Sequence, residues 1–175
     1  MAFTIIPAGE AHLAGIVAIY NHAVAHTTAI WNDTTVDLEN RRDWWRARTE
    51  AGLPVLVATD EAGDVAGYGS FGPFRPFDGY RASVEHSVYV AEAARRAGVG
   101  SALLGALEDV ARAAGMHVMI GGIAADNEAS LALHRRHGFT ETGRLIEVGQ
   151  KFGRYLDLVF MQKILLADPG TAPER

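Results

Sequence analysis

The residues best placed to do chemistry form one run. Arg95-Arg96-Ala97-Gly98-Val99-Gly100-Ser101 is a basic turn punctuated by two glycines. Leu103, Leu104, Leu107, Val110 and Ala111 follow at the spacing of an amphipathic helix. Just upstream, Val84, His86, Val88 and Val90 alternate with Glu85, Ser87 and Tyr89, the period of a strand. A strand that enters such a turn and leaves as a helix presents unpaired backbone N–H groups and a helix N-terminus to an anion, most naturally a phosphate. The stretch Val84–Ala113 is therefore expected to hold a pyrophosphate-bearing cofactor. It is not a Walker loop, because no Gly-Lys-Ser/Thr follows the glycines. It lacks the third glycine and the downstream acid of a dinucleotide fingerprint. No Gly-x-Ser-x-Gly elbow marks a serine hydrolase.

Other reactive side chains carry weaker signals. His22 and His26 stand four apart on a predicted helix, a spacing that could ligate a metal, but no third ligand is near in sequence. They are read as solvated or locally hydrogen-bonded, and no metal is expected. With no cysteine, the chain has no disulfide, thiolate metal site or cysteine nucleophile. A net charge of −5 and a pI near 5.8 give no bulk attraction to nucleic acid. No apolar run approaches the roughly 18 residues of a membrane span, and the N-terminus lacks a signal-peptide pattern. A cytoplasmic location is the default expectation.

Positioning the central run requires a whole domain, and 175 residues suffice for one core. A first strand at Phe3–Ile6 precedes a helix over about 10–25 with Leu13, Ile16, Val17, Tyr20 and Val24 on one face. Thr27-Thr28-Ala29-Ile30-Trp31 is an apolar loop whose Trp31 is either a core plug or a pocket wall. A second helix starts at an Asp37 N-cap and ends before Gly52 and Pro54. Residues 55–59 and 65–71 form a hairpin about Asp60–Asp64. The loop Gly72–Arg81 is aromatic, carries two arginines and is too punctuated for a helix. Then come a buried strand at 118–123, a short helix at 127–137 and two strands near 141–148 and 155–164. Residues 1–166 read as one domain, and 167–175 as a disordered tail.

Arg95-x-x-Gly98-x-Gly100 after a strand resembles the Gln/Arg-x-x-Gly-x-Gly/Ala motif of the GNAT superfamily of acetyl-CoA-dependent N-acetyltransferases. A second match supports it: Asn127-Glu128-Ala129-Ser130, then Leu133-His134 and Gly138-Phe139, is similar to the family's Asn-x-x-Ala/Ser helix ending in Tyr-x-x-x-Gly-Phe. The order of elements matches over nearly the whole chain. The resemblance implies an α/β (α+β) fold with a central mixed, mostly antiparallel twisted sheet flanked by helices. Thr27–Trp31, Arg75-Pro76-Phe77, Val84–Val90 and Gly149–Gly153 look like the phosphinothricin N-acetyltransferase branch, and most like enzymes that acetylate L-methionine sulfoximine and L-methionine sulfone.

Several roles follow from that resemblance. Glu85 becomes the base that deprotonates the substrate ammonium, against the plainer reading of an ion pair with Arg75 or Arg81. Backbone groups of Val88, Tyr89 and Val90 are expected along the pantetheine arm. The turn Arg95, Arg96, Ala97, Gly98, Val99, Gly100 and Ser101 is expected on the pyrophosphate, with Asn127 and Ser130 nearby. His134 replaces the family's tyrosine and either protonates the leaving thiolate or lines the channel. For a small zwitterion, Arg75 is the first choice as carboxylate clamp and Arg81 the second, although either could be a solvated surface arginine. Trp31, Phe74, Pro76, Phe77 and Tyr80 would provide walls, with Ser87 as a further contact; Lys151 reaches either the pocket or only the surface, and His86 joins the contacts only if a bulge turns it from the face opposite Glu85 that a regular strand gives it. The partners implied are acetyl-CoA, an amino-acid-like amine and a second copy of the chain in a homodimer. Another amine acceptor and a non-catalytic acetyl-CoA-binding module are the competing readings.

Overall fold

The structure is a computed structural model and describes residues 2–166. The expected disordered tail, 167–175, lies outside the described residues. Strand β1 (Phe3–Pro7) leads through a short 3-10 turn (Glu10–His12) into α1 (Leu13–His26), followed by α2 (Leu38–Glu50). The hairpin β2 (Val55–Asp60) and β3 (Val65–Pro73) precedes β4 (Ser83–Val90), α3 (Val99–Ala113), β5 (Val118–Ala124) and α4 (Glu128–Arg136). Strands β6 (Thr140–Lys151) and β7 (Arg154–Ile164) end the domain.

All seven strands form one sheet in the order β1-β2-β3-β4-β5-β7-β6. Every neighbouring pair is antiparallel except β4 and β5. Those two are joined by α3, the helical crossover that a parallel pair requires. On one face, Val99, Leu103, Leu104 and Leu107 of α3 and Leu131 of α4 pack on Val84, Met119, Val159 and Met161. On the other, Leu13, Ile16 and Ile19 of α1 pack on Val55, Val57 and Tyr68. Val110, read as part of the apolar face of α3, is instead 37% exposed, while Glu108 is buried among the leucines.

Helix α2 has no fully buried residue and is fastened by its polar side chains. Asp37 caps it by accepting from Asn40 N. Trp45 donates to the Ala8 carbonyl, and Arg48 reaches Ser70 Oγ and the Phe71 carbonyl at 2.9 and 2.7 Å. The loop after β3 contains one short 3-10 turn, Asp78–Tyr80. Among the described residues, no helix is long and apolar enough to cross a membrane.

Candidate active site

Strands β4 and β5 pair only from Ser83–Val118 to His86–Gly121. Beyond that point β5 continues against β7, while β4 continues against β3 alone. The edge of β4 from Ser87 to Val90 that faced β5 is thus open. The resulting cleft is lined by His86, Ser87, Val88, Tyr89, Gly121, Gly122, Ala124, Asn127, Ser130 and His134. An extended amide-bearing arm could add to that edge as a partial strand, since the backbone groups there need partners. Of the three residues expected to act here, Val88 and Tyr89 line the cleft and Val90 ends the same strand.

The open edge leads directly into the basic turn. Arg95 N closes the preceding 3-10 turn on Glu92 O, and the next backbone bond is Ala102 N to Gly98 O at the start of α3. The N–H groups of residues 96–101 therefore have no backbone partner among the described residues, as a helix N-terminus dictates. Gly98 has φ +86, the left-handed region that glycine occupies without strain. Arg96 takes φ +65 without that excuse, a local strain consistent with a specialised turn. A Cβ on Gly100 would meet Leu133 and Val90 only at 3.4 Å, so packing within the chain does not by itself demand a glycine there. The side chains of Arg95 and Arg96 are exposed and have no ion-pair partner among the described residues. The residues present fit a pyrophosphate-bearing ligand with an amide arm.

Glu85 stands on the α1/α2 face of β4. A Cβ on Gly122 would come within 3.1 Å of its carboxylate, so that glycine leaves room for it. Arg75 Nη1 lies 3.9 Å from Glu85 Oε2, and its guanidinium stacks 4.0 Å above the Phe74 ring. Phe74 in turn meets Phe160 edge-on. Burial holds the Glu85 carboxyl above the usual range, with Arg75 opposing the shift. Base and cation, predicted as a base with a carboxylate clamp or as an ion pair, are thus brought together.

Pairing of β3 with β4 runs unshifted from Gly67–Val90 to Pro73–Val84, so no bulge interrupts the alternation. His86 therefore points to the α3/α4 face, away from Glu85. Its expected place among the substrate contacts is corrected. It is 5% exposed and meets His134, also 5% exposed, with Nε2 atoms 2.9 Å apart. The Nδ1 atoms bond to the Ile120 and Ser130 carbonyls at 2.8 and 2.7 Å. Burial pushes His86 down to about 3 and also lowers His134. Asn127 Oδ1 accepts from Ser130 N and caps α4, leaving its amide NH2 toward the cleft without an assigned bond.

Lys151 also departs from expectation. It is 2% exposed, and its ammonium donates to the Ile30 carbonyl instead of reaching a pocket or solvent. Trp31 belongs to none of the core clusters. Its Nε1 donates to Thr28 O, and its ring lies so close on Gly149 that a Cβ there would sit 2.1 Å from it. The core-plug reading falls, and the loop is stapled to β6. Phe77 is 69% exposed, Pro76 and Ser87 are exposed, and Phe77 is not gathered with Glu85. Arg81 bonds to Asp78 O, and with Tyr80 and Arg75 it borders a second cavity of about 590 Å³ at the other end of β4. That cavity is lined by Trp45, Phe71, Val84 and Met116 and does not reach the cleft residues.

One network was not anticipated. Ser101 Oγ meets His137 Nε2 at 2.8 Å, and His137 Nδ1 meets Glu108 Oε1 at 2.9 Å. Arg112 and Lys163 complete the shell of Glu108. Hydrogen bonds to these partners pull the Glu108 carboxyl below the usual range against the opposing burial. The available signal was a lone acid between Leu104, Leu107 and Ala111 on the apolar stripe of α3. Among the described residues, no group of three or more His, Asp or Glu gathers as a metal site; His22 instead lies 3.5 Å from Glu92.

Comparison with known proteins agrees with this geometry. The Acetyltransferase (GNAT) family profile matches residues 16–139. An L-methionine sulfoximine/L-methionine sulfone acetyltransferase from Pseudomonas paraeruginosa is 57% identical over 162 residues, 93% of this chain and 94% of the relative. A phosphinothricin N-acetyltransferase from Streptomyces coelicolor is 39% identical over 91% of this chain and 94% of its own length. Among solved structures, an acetyltransferase from Salmonella typhimurium with its cofactor acetyl-CoA superposes with TM-score 0.91 at 53% identity, covering 99% of each chain. A ribosomal-protein-alanine N-acetyltransferase from Brucella melitensis gives TM-score 0.90 at 58% identity, covering 92% of this chain and 99% of that one. A splayed β4–β5 pair, an unpaired N–H turn and matches of this extent have one common meaning: the chain has the GNAT fold and belongs to the GNAT family of acetyltransferases.

Proposed function

We propose that the chain transfers the acetyl group of acetyl-CoA to the α-amino group of a small amino-acid-like substrate, with L-methionine sulfoximine and L-methionine sulfone as the leading acceptors and phosphinothricin a further one. The observation that carries this reading is the open edge of β4 from Ser87 to Val90, which begins just past Glu85 and is followed, after one 3-10 turn, by the N–H groups of residues 96–101. Val88, Tyr89 and Val90 would hold the pantetheine arm through their backbone. Arg95–Ser101 would hold the pyrophosphate with the α3 N-terminus. Asn127 and Ser130 would line the arm from α4. Acetyl-CoA is a substrate in this reaction, and its thioester supplies the activated acyl group.

Glu85 takes a proton from the ammonium, directly or through water. Its burial suits it to do so, because a base works best with a pKa near the working pH. The N–H of Val90 or a neighbour faces the thioester oxygen and stabilises the developing oxyanion. Arg75, within reach of Glu85, grips the substrate carboxylate bidentately, while Trp31 and Phe74 wall the pocket. We assign the chain to the cytoplasm as a homodimer, with removal of an inhibitory amino-acid analogue as its physiological role.

One likeness favours a second acceptor, since the structure from Brucella melitensis bears the name of an enzyme for ribosomal-protein alanine. A cationic side chain beside the base suits the free carboxylate of an amino acid, which a protein N-terminus lacks. Release of CoA from acetyl-CoA, followed with L-methionine sulfone, L-methionine sulfoximine, phosphinothricin, a polyamine and an alanine-terminated peptide, separates these readings. The expected order places the sulfone and sulfoximine first in kcat/KM. Preference for the peptide would overturn the proposed substrate class, and binding of acetyl-CoA without release on any amine would leave a binding module.

A further inference from the structure

Behind the basic turn, three side chains form a chain whose hydrogens can be assigned. Glu108 Oε2 accepts from Arg112 and Lys163, which keeps the carboxylate ionised, and its Oε1 lies 2.9 Å from His137 Nδ1. An ionised carboxylate only accepts, so Nδ1 carries a hydrogen. His137 Nε2 lies 2.8 Å from Ser101 Oγ. With the imidazole neutral, Nε2 offers only a lone pair, and the Ser101 hydroxyl donates to it. The free chain is satisfied in this way without any extra proton. The exposed side of Ser101 Oγ is then left with lone pairs alone.

Ser101 is the third residue of α3, and Cβ atoms of a helix tilt toward its N-terminus. Its Oγ is thus carried toward the unpaired N–H groups of residues 96–101, and it is the only hydroxyl of the turn. A phosphate oxygen is repelled by the lone pairs of a hydroxyl and bound by its hydrogen. Ser101 has one such hydrogen and cannot give it to His137 and to a phosphate at once. We infer that binding of the CoA pyrophosphate turns the Ser101 hydroxyl from His137 to a phosphate oxygen, and that His137 takes up a proton from solvent whose new Nε2–H donates to Ser101 Oγ. His137 and Glu108 are positioning residues, since neither touches the cofactor and together they set the direction of the one hydroxyl that does. The inference rests on the proposed use of acetyl-CoA and extends it to how the cofactor is held. Only hydrogen bonds change, and the proton that enters with CoA returns to solvent when CoA departs.

The surroundings allow His137 to change its charge. Its side chain is 16% exposed, so solvent can deliver the proton. Glu108 of α3, 4% exposed, faces it with a full negative charge. Arg112 of α3 and Lys163 of β7 share that carboxylate and offset part of its charge. His134 of α4 and His86 of β4 also feel the charge of His137, and burial pushes both toward their neutral forms, so neither sets a full charge against it. The pyrophosphate itself, an anion one hydroxyl away, supplies the remaining attraction.

The test is calorimetry of CoA binding in buffers of different ionisation enthalpy, over a pH series spanning the imidazole range, about pH 6 to 9. Proton uptake by the unsubstituted chain is compared with that of Ser101→Ala, a change at an exposed site, so that ionisation of CoA's own phosphate cancels. The unsubstituted chain should take up more, by as much as one proton per CoA. Its affinity should fall as pH rises, by up to about 10-fold per unit more than that of the variant, because binding then has to draw a proton from solvent. His137→Gln keeps a donor opposite Ser101 that needs no proton. It should hold the affinity that the unsubstituted chain shows at the acid end and lose the excess uptake. Weakening by the same factor at every pH would mean a merely structural role for His137. Equal uptake by the unsubstituted chain and Ser101→Ala would overturn the relay, and with CoA bound it would leave the acetyl-transfer reading standing. If CoA does not bind, the cofactor reading fails and takes the relay with it.

Discussion

Replacing Glu85 by glutamine tests the chemistry with little disturbance of the fold. The change removes a carboxylate 3.9 Å from Arg75, in a pair whose side chains are 38% and 44% exposed. Ion pairs exposed to that degree contribute at most about 1 kcal/mol, so thermal stability should barely move. The expected loss in turnover is larger by a clear margin. A carboxamide cannot take the ammonium proton, and loss of a general base lowers kcat by about 10²-fold or more. At roughly 1.4 kcal/mol per decade that is about 3 kcal/mol of barrier. The pH dependence supplies a second readout. Burial raises the Glu85 carboxyl and only its ionised form is a base, so wild-type kcat should climb through a pKa above the ordinary carboxylate value. That limb should vanish in the variant. Steady-state CoA release with L-methionine sulfone across a pH series measures both. If kcat stays within about threefold of wild type and the limb persists, Glu85 is not the base. A rise in KM alone would return it to the role of a partner for Arg75.

Two further substitutions probe the cofactor turn and the substrate wall. Gly98→Ala meets no atom within 4 Å, so its cost is the left-handed backbone at φ +86, about 1–2 kcal/mol. CoA affinity by calorimetry should fall about 10-fold as the turn relaxes, and unchanged affinity would mean that the turn does not hold the pyrophosphate. Gly149→Ala puts a Cβ 2.1 Å from the Trp31 ring and must displace the Thr27–Trp31 loop. KM for the amino acid should rise severalfold while that for acetyl-CoA holds. An unchanged amine KM would remove Trp31 from the pocket.

What could be read in the chain was whatever a short run of backbone determines. The unpaired N–H groups of 96–101 follow from a helix that starts at Val99, and that start was visible as glycines followed by leucines at helical spacing. The facing of Glu85 followed from simple alternation, which β4 keeps because no bulge intervenes. What escaped were contacts between distant segments. Lys151 was expected at the pocket or at the surface, since lysines are seldom buried, yet it crosses 121 residues to cap the Ile30 carbonyl. The same holds for His86 on His134 and for His137 on Glu108, with separations of 48 and 29 residues. Arg75 ranked ahead of Arg81 as a carboxylate clamp, but nothing in a punctuated loop told where either side chain lies. The 3-10 turn at Asp78–Tyr80 separates them, turning Arg81 back on Asp78 and leaving Arg75 beside Glu85.

The adjacency of Glu85 and His86 has a geometric consequence for the reaction. Successive residues of a strand point to opposite faces, so the proposed base and the buried His86–His134 contact lie on the two sides of one sheet. Where β4 loses β5 as a neighbour, an acyl group on the open edge is reached by the amine from the α1/α2 side. The arrangement depends on register, since a slip of one residue would exchange the two faces. Val84, 3% exposed in the α3 core, resists such a slip, because exchange would put Glu85 into that core and Val84 outside it. Arg48 adds a second restraint by holding the Phe71 carbonyl opposite His86. The apolar packing of β4 therefore determines which face of the open edge carries the proposed base.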